Sequence, residues 1–265
     1  MKIFLTNISD MDEDSFNKGL KLVPEYRRKK VMRYRFKEDS RRSLAAGLLL
    51  NYATKVYSIC YKEAVSDTGI IQVGITDLIN KYDSTFDYEI EYVSNGKPVY
   101  RNQDIHFSLS HSGSYVVCAV SDKNIGVDIE GIRRNAIKVA KRFFTTAECE
   151  WIGSDVHRFS RIWTLKEAYA KLTGDGIAAA VSRAEFKHEA DKVAKADKVV
   201  KADKVVKALK VVKDMTVKDD YGPSDNIVPT VNMYIAGKKA DNIKIYELNI
   251  IKSEYAISVI ESLLD

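Results

Sequence analysis

An α+β protein of two similar, pseudo-duplicated lobes, each a small antiparallel sheet packed with helices, is the fold class this sequence predicts. Segments with the two-residue period of strands are mixed along the chain with segments of helical period. At 265 residues and 45% hydrophobic, the chain has core enough for two modest lobes without disulfide staples. Residues Ser253–Ile260 faintly echo Gly113–Val120, as a repeated unit would. We place an N-terminal lobe at residues 1–104 and a C-terminal lobe at 105–265.

A strand opens the chain at Lys2–Thr6, and a basic helix follows Pro24. A longer helix starts near Asp39, read as its N-cap, with Ala45, Leu48, Leu49, Tyr52, Val56 and Ile59 on one apolar stripe. Asn95-Gly96-Lys97-Pro98 is a turn. Tyr115–Val120 reads as a strand joined through residues 121–124 to a second strand, so that the two form a hairpin. That second strand, Ile125–Glu130, alternates Ile125, Val127 and Ile129 with Gly126, Asp128 and Glu130, the pattern of a half-buried strand.

Thr145 and Glu148 have capping-box spacing at the start of a helix carrying Trp151 and Ile152, which gives Glu148 a structural task. Phe159, Ile162, Trp163 and Tyr169 recur at helical spacing, and Gly174 marks the C-terminus. Residues 190–213 repeat a lysine-rich six-residue unit four times. Six residues advance a helix by about 600°, so the repeated valines make no single apolar stripe. We expect a mobile insertion there. The chain returns to paired strands at Lys244–Ile250 and Tyr255–Ile260.

The three cysteines, Cys60, Cys118 and Cys149, are odd in number and widely spaced, which argues against a disulfide framework and for a reducing compartment. Neither a signal peptide nor a membrane span is recognisable, and a cytoplasmic protein is expected. The net charge of +5 is mild. Its distribution is not, because Arg27, Arg28, Lys29, Lys30, Arg33, Arg35, Lys37, Arg41 and Arg42 crowd one stretch. Such a cluster is either a solvated helix face or a dock for something anionic. Nucleic acid ranks last among its partners, since the lysine-rich repeat carries alanine and valine rather than aromatics between its charges.

The chemistry-bearing residues fall in two short stretches. Asp128 and Glu130 leave the same face of a strand, roughly 6.5–7 Å apart along the chain, and two like charges sharing a patch invite a hard cation. Glu167 and Lys171 share a helix face at i,i+4. Each pair alone also reads as ordinary surface charge, a helix salt bridge or the solvent side of an antiparallel strand. Together they suit a bridged metal and phosphate.

Four ordered motifs then carry a family likeness: Gly96-Lys97-Pro98; Phe107-Ser108-Leu109-Ser110-His111-Ser112; Gly126-Val127-Asp128-Ile129-Glu130; and Trp163–Lys171 with Gly174-Asp175-Gly176 behind. With Arg33–Arg42 ahead of them, the chain resembles the 4′-phosphopantetheinyl transferases of the surfactin-synthetase-activating type over most of residues 20–177. The resemblance implies Mg²⁺-dependent transfer of the phosphopantetheine arm of coenzyme A to a serine of an apo acyl- or peptidyl-carrier protein, with release of adenosine 3′,5′-bisphosphate.

It further implies that Asp128, Glu130 and Glu167 hold the metal and that Lys171 sits at the phosphates. Glu167 is then the first choice for taking the serine proton, with Glu130 second. Arg27, Lys30, Ser43, Lys97, Ser110 and His111 match positions that contact coenzyme A. Ser108 departs from the family's usual asparagine. Carrier proteins are typically acidic, which a basic, monomeric enzyme would exploit. The rival from another class is a catalytically silent coenzyme-A-binding module.

Overall fold

The computed structural model describes residues 1–62, 70–93, 96–132, 137–188, 227–228, 231–248 and 254–263. The six-residue repeat at 190–213 and Asn95 lie outside the described residues. Along the N-terminal half run β1 (Lys2–Asn7), α1 (Glu13–Leu22), α2 (Glu25–Met32), α3 (Lys37–Lys62), β2 (Ile70–Gln72), α4 (Ile75–Asn80), β3 (Ile90–Tyr92) and β4 (Pro98–Tyr100). Then come β5 (His106–Ser112), β6 (Tyr115–Ser121), β7 (Ile125–Gly131), α5 (Ile137–Phe143), α6 (Thr146–Ile152), α7 (Val156–Thr173) and α8 (Ile177–Arg183). The chain closes with β8 (Ala184–His188), β9 (Ile227–Val228), β10 (Val231–Ile235), β11 (Lys238–Lys239), β12 (Ile243–Leu248) and β13 (Tyr255–Ser262).

Two four-stranded sheets dominate, ordered β2-β1-β6-β5 and β7-β13-β12-β9. The first contains a parallel pair, β1 with β2, and its other pairs are antiparallel. The second is antiparallel throughout. Small sheets, antiparallel except for the β1–β2 pair and packed with helices, are thus what forms, and the α+β class holds.

The period of two along the strands decides what lies between the layers. In β1 and β6, Phe4, Val116, Cys118 and Val120 turn to α3, where Leu44, Leu48, Leu49 and Tyr52 meet them. The alternate residues Ile3, Leu5, Val117 and Ala119 turn the other way, onto Ile125, Val127, Ile129, Ile257 and Val259 of the second sheet. Behind that sheet lies α7, whose Ile162, Leu165, Ala168 and Leu172 join Ile260 in a third cluster. The stack is helix, sheet, sheet, helix.

Several expectations need correction. The strands at 115–120 and 125–130 do not form a hairpin: β6 pairs with β1 and β5, whereas β7 pairs with β13. Residues 122–124 carry the chain from one sheet to the other, so that Val117 and Ala119 of β6 meet Ile125, Val127 and Ile129 of β7 across the inter-sheet core rather than beside them in one sheet. The passage from the first sheet to the second therefore lies at residues 122–124. The strand bearing Asp128 is buried as far as Ile129 on both faces, since α7 covers the polar side. The long helix begins at Lys37, so Asp39 is in its first turn rather than at its N-cap, and there it pairs with Arg42 at 2.6 Å. Among the described residues, no helix is long and apolar enough to cross a membrane.

Candidate active site

Helix α7 reaches its position by local chemistry that the sequence announces. Asp155 caps it, accepting from the backbone N–H groups of His157 and Arg158, and Gly174 ends it in the left-handed conformation at φ 77°. Its contact with β7 demands glycine at 126. A Cβ there would collide with the Ala168 carbonyl and lie 2.6 Å from the Leu172 nitrogen. One turn of α7 can therefore lie directly on β7, and Thr164 is tied to Ser258 of β13 at 2.7 Å.

This close approach brings the two sequence stretches together. Lys171 Nζ donates to Asp128 Oδ1 at 2.7 Å, and Ser110 Oγ donates to the same oxygen at 2.6 Å. Asp128 is only 4% exposed, and its Oδ2 is buried without a hydrogen-bond partner. The Glu167 carboxyl is held above the usual carboxylate range, first by burial and then by the charge of Asp128; Lys171 opposes the shift and Glu130 adds to it. Three carboxylates thus share one field. Among the described residues they do not close into a ready-made cluster of metal ligands.

His111 borders the same place. Its imidazole is held below the usual value, first by desolvation and then by the positive charges of Arg42 and Lys171. Arg42 bridges α3 to the turn after β5, donating to the Gly113 carbonyl at 2.8 Å and to Asp39. Next to it on α3, Ser43 is buried with its Oγ unpartnered, as is Arg42 Nε. Arg42 and Lys171 thus both act on His111, which links the first turns of α3 to the carboxylates.

The remaining sequence candidates are Arg27, Lys30 and Lys97. Arg27 is buried on α2 with its stem laid on Gly47, where a Cβ would meet its Cγ, Cδ and Nε at 3.1–3.2 Å. It lines a solvent-connected pocket with Tyr26, Asn51, Asp87 and Tyr100. Lys30 lies one turn along α2, and burial followed by the charge of Arg27 lowers its pKa. Lys97 Nζ is engaged by Asn124 Oδ1 at 2.5 Å and the Leu172 carbonyl at 2.8 Å, and burial lowers its pKa to about 8. It fastens the end of α7.

Sequence reasoning left two contributors unassigned. Lys166, beside Glu167 in the motif, faces away from the site into complete burial, paired with Glu148 at 2.9 Å and bonded to the Ala184 carbonyl. Ser112 donates to Glu130 Oε2 at 3.0 Å. The alternation of serines at 108, 110 and 112 was the available signal.

Comparison with known proteins shows the family. Residues 124–220, which span β7 and α7, match the model of the 4′-phosphopantetheinyl transferase superfamily. The chain is 30% identical over 193 residues to the 4′-phosphopantetheinyl transferase psf-1 of Bacillus pumilus, covering 69% of this chain and 72% of that protein. The chain belongs to this transferase superfamily. It is also 31% identical over 180 residues to the 4′-phosphopantetheinyl transferase gsp of Aneurinibacillus migulanus, covering 66% of each chain. A third relative, the 4′-phosphopantetheinyl transferase Sfp of Bacillus subtilis, is 28% identical over 174 residues, 63% of this chain and 67% of its own. The chain thus spans about two thirds of the length of these transferases. In this transferase the matched region carries Asp128, Glu130, Glu167 and Lys171.

Proposed function

We propose that this transferase moves the 4′-phosphopantetheine arm of coenzyme A onto a serine of an apo acyl- or peptidyl-carrier protein, with Mg²⁺, releasing adenosine 3′,5′-bisphosphate. The observation that carries the reading is the meeting of β7 and α7, where Asp128 and Lys171 touch and Glu167 feels the charge of both Asp128 and Glu130. Mutually repelling carboxylates around a buried, unpartnered Asp128 Oδ2 are a donor set of the hard oxygens that Mg²⁺ takes, and a cation would relieve both strains. Asp128, Glu130 and Glu167 would hold it. When bound, it neutralises charge on the diphosphate and orients the phosphorus for in-line attack.

The chain's own residues divide the remaining work. Lys171, anchored on Asp128, supplies a fixed positive charge where the diphosphate oxygens gain negative charge. Arg42, His111 and Ser43 extend donors from there toward the nucleotide end of coenzyme A. Glu167 takes the proton of the attacking serine hydroxyl as the serine oxygen bonds to phosphorus and the bond from phosphorus to the adenosine bisphosphate oxygen breaks. The acceptor serine belongs to the carrier, so a nucleophile within this chain is not needed. The net charge of +5 favours encounter with an acidic carrier.

Incubation with coenzyme A, Mg²⁺ and a panel of apo carriers tests this, read by intact mass. The phosphopantetheine mass is expected on at least one carrier and absent with Asp128→Ala and Glu167→Ala. Unmodified carriers throughout, with coenzyme A still bound, would establish a silent binding module instead.

A further inference from the structure

Strands β5 and β7 are edge strands of different sheets. They are nevertheless held side by side, and serine hydroxyls of β5 do the holding. Ser108 Oγ accepts from the Val127 backbone N–H at 3.0 Å. Ser110 Oγ donates to Asp128 Oδ1 at 2.6 Å. Ser112 Oγ accepts from the Gly131 N–H at 3.1 Å and donates to Glu130 Oε2 at 3.0 Å. The three lie on one face of β5 because side chains two apart point the same way.

The three serines differ in what they hold. A serine hydroxyl has one proton and two lone pairs. Ser108 uses a lone pair to hold the backbone of β7 and touches no carboxylate. Ser112 uses a lone pair on the backbone and aims its proton at a carboxylate in the same stroke. A backbone N–H is a rigid partner, so the direction of that proton is set by the strand rather than by the flexible glutamate. Asp128 and Glu167 share the field of Glu130, and like charges push a two-methylene side chain outward.

We infer that Ser112 is a positioning residue that aims Glu130 into the metal site, with Ser110 doing the same for Asp128 and Ser108 clamping the strand alone. The inference rests on the proposed role of Glu130 as a metal ligand. Partners in the outer shell of a metal site commonly set affinity by about 10–100-fold. Loss of the Ser112 hydroxyl is therefore expected to cost metal affinity more than it costs stability.

The experiment titrates Mn²⁺ into wild-type protein, Ser112→Ala, Ser112→Thr and Ser108→Ala, following free Mn²⁺ by electron paramagnetic resonance and stability by thermal melting. Ser112→Ala is expected to bind Mn²⁺ about tenfold or more weakly. Ser112→Thr keeps the hydroxyl and is expected to bind within twofold of wild type. Ser108→Ala is expected to melt earlier with Mn²⁺ affinity unchanged. Should Ser112→Ala fail to fold, the Ser112→Thr and Ser108→Ala pair still decides: a Ser108→Ala protein that loses affinity tenfold makes strand spacing the cause and overturns the assignment. Equal affinity in Ser112→Ala and wild type also overturns it while leaving the proposed function standing. A wild-type protein that binds no Mn²⁺ removes the metal reading and this inference together.

Discussion

Glu167 and Lys97 are ionisable groups whose surroundings the fold has changed in ways that experiment can read. Glu167→Gln keeps the shape of the side chain and removes its capacity to take a proton, so turnover is expected to fall about 10²–10⁴-fold in steady-state assays. Lys97 offers a pH test. Its ammonium has a folded pKa of about 8, below the ordinary value near 10.5, because burial penalises the charge. Between those two values the unfolded chain binds the proton that the folded chain has released, so stability from this group rises with pH in that window. Urea unfolding at pH 7.0 and 9.5 is expected to show wild type gaining on Lys97→Met as pH rises; a constant difference would mean that the ammonium is not buried. At this scale the sequence was informative about identity and silent about partners. Asp128, Glu130, Glu167 and Lys171 were all legible from spacing. That Lys97 fastens Leu172, or that Arg27 lies buried against Gly47, depends on which helices meet, and no local pattern records it.

At the scale of elements, the seat of α7 on β7 and on its neighbours decides whether the carboxylates converge. Gly126→Ala is expected to force the helix off the strand, at a cost of about 1–3 kcal/mol or more from overpacking, and to lower activity beyond the loss of stability. Chemical denaturation and kcat at a temperature where the variant is folded separate the two effects. On the opposite face, Lys166 and Glu148 form an ion pair in which both side chains are 0% exposed. Glu148 also caps the Thr145 backbone and accepts from Phe186 N–H, so the pair locks α6, α7 and β8 together. Lys166→Met leaves that carboxylate buried without its cation and is expected to cost about 3–5 kcal/mol in urea unfolding. Helix positions were readable because caps and periodicity are local: Thr145, Glu148 and Gly174 act where the sequence places them. Strand pairing was not, because β6 and β7 look like hairpin partners on length and turn chemistry, and only the inter-sheet core separates them.

Across the whole molecule, the helix, sheet, sheet, helix stack explains why one chain can present a site built from both sheets. His111 and Ser110 come from the first sheet and Asp128 and Glu130 from the second, and the meeting of β5 with β7 joins them. The repeat at 190–213 lies outside the described residues and outside the motifs that carry the family likeness. Replacing residues 190–213 with a short Gly/Ser linker is expected to leave carrier modification within about threefold of wild type at saturating substrates, with salt dependence retained because the basic stretch at 27–42 is intact. A larger loss with the melting temperature unchanged would give the repeat a role in catalysis or docking.

Residue types, their order and their local spacing were enough to determine the α+β class, the helix ends at Thr145 and Gly174, and the family, since caps, periodicity and short motifs are properties of neighbouring residues. Tertiary structure alone decided that β6 and β7 part into separate sheets, that Lys166 turns inward while Glu167 turns toward Asp128, and that serines of one edge strand grip carboxylates of another. Those outcomes follow from which apolar faces share a core, a competition among segments far apart in the chain that no single segment encodes.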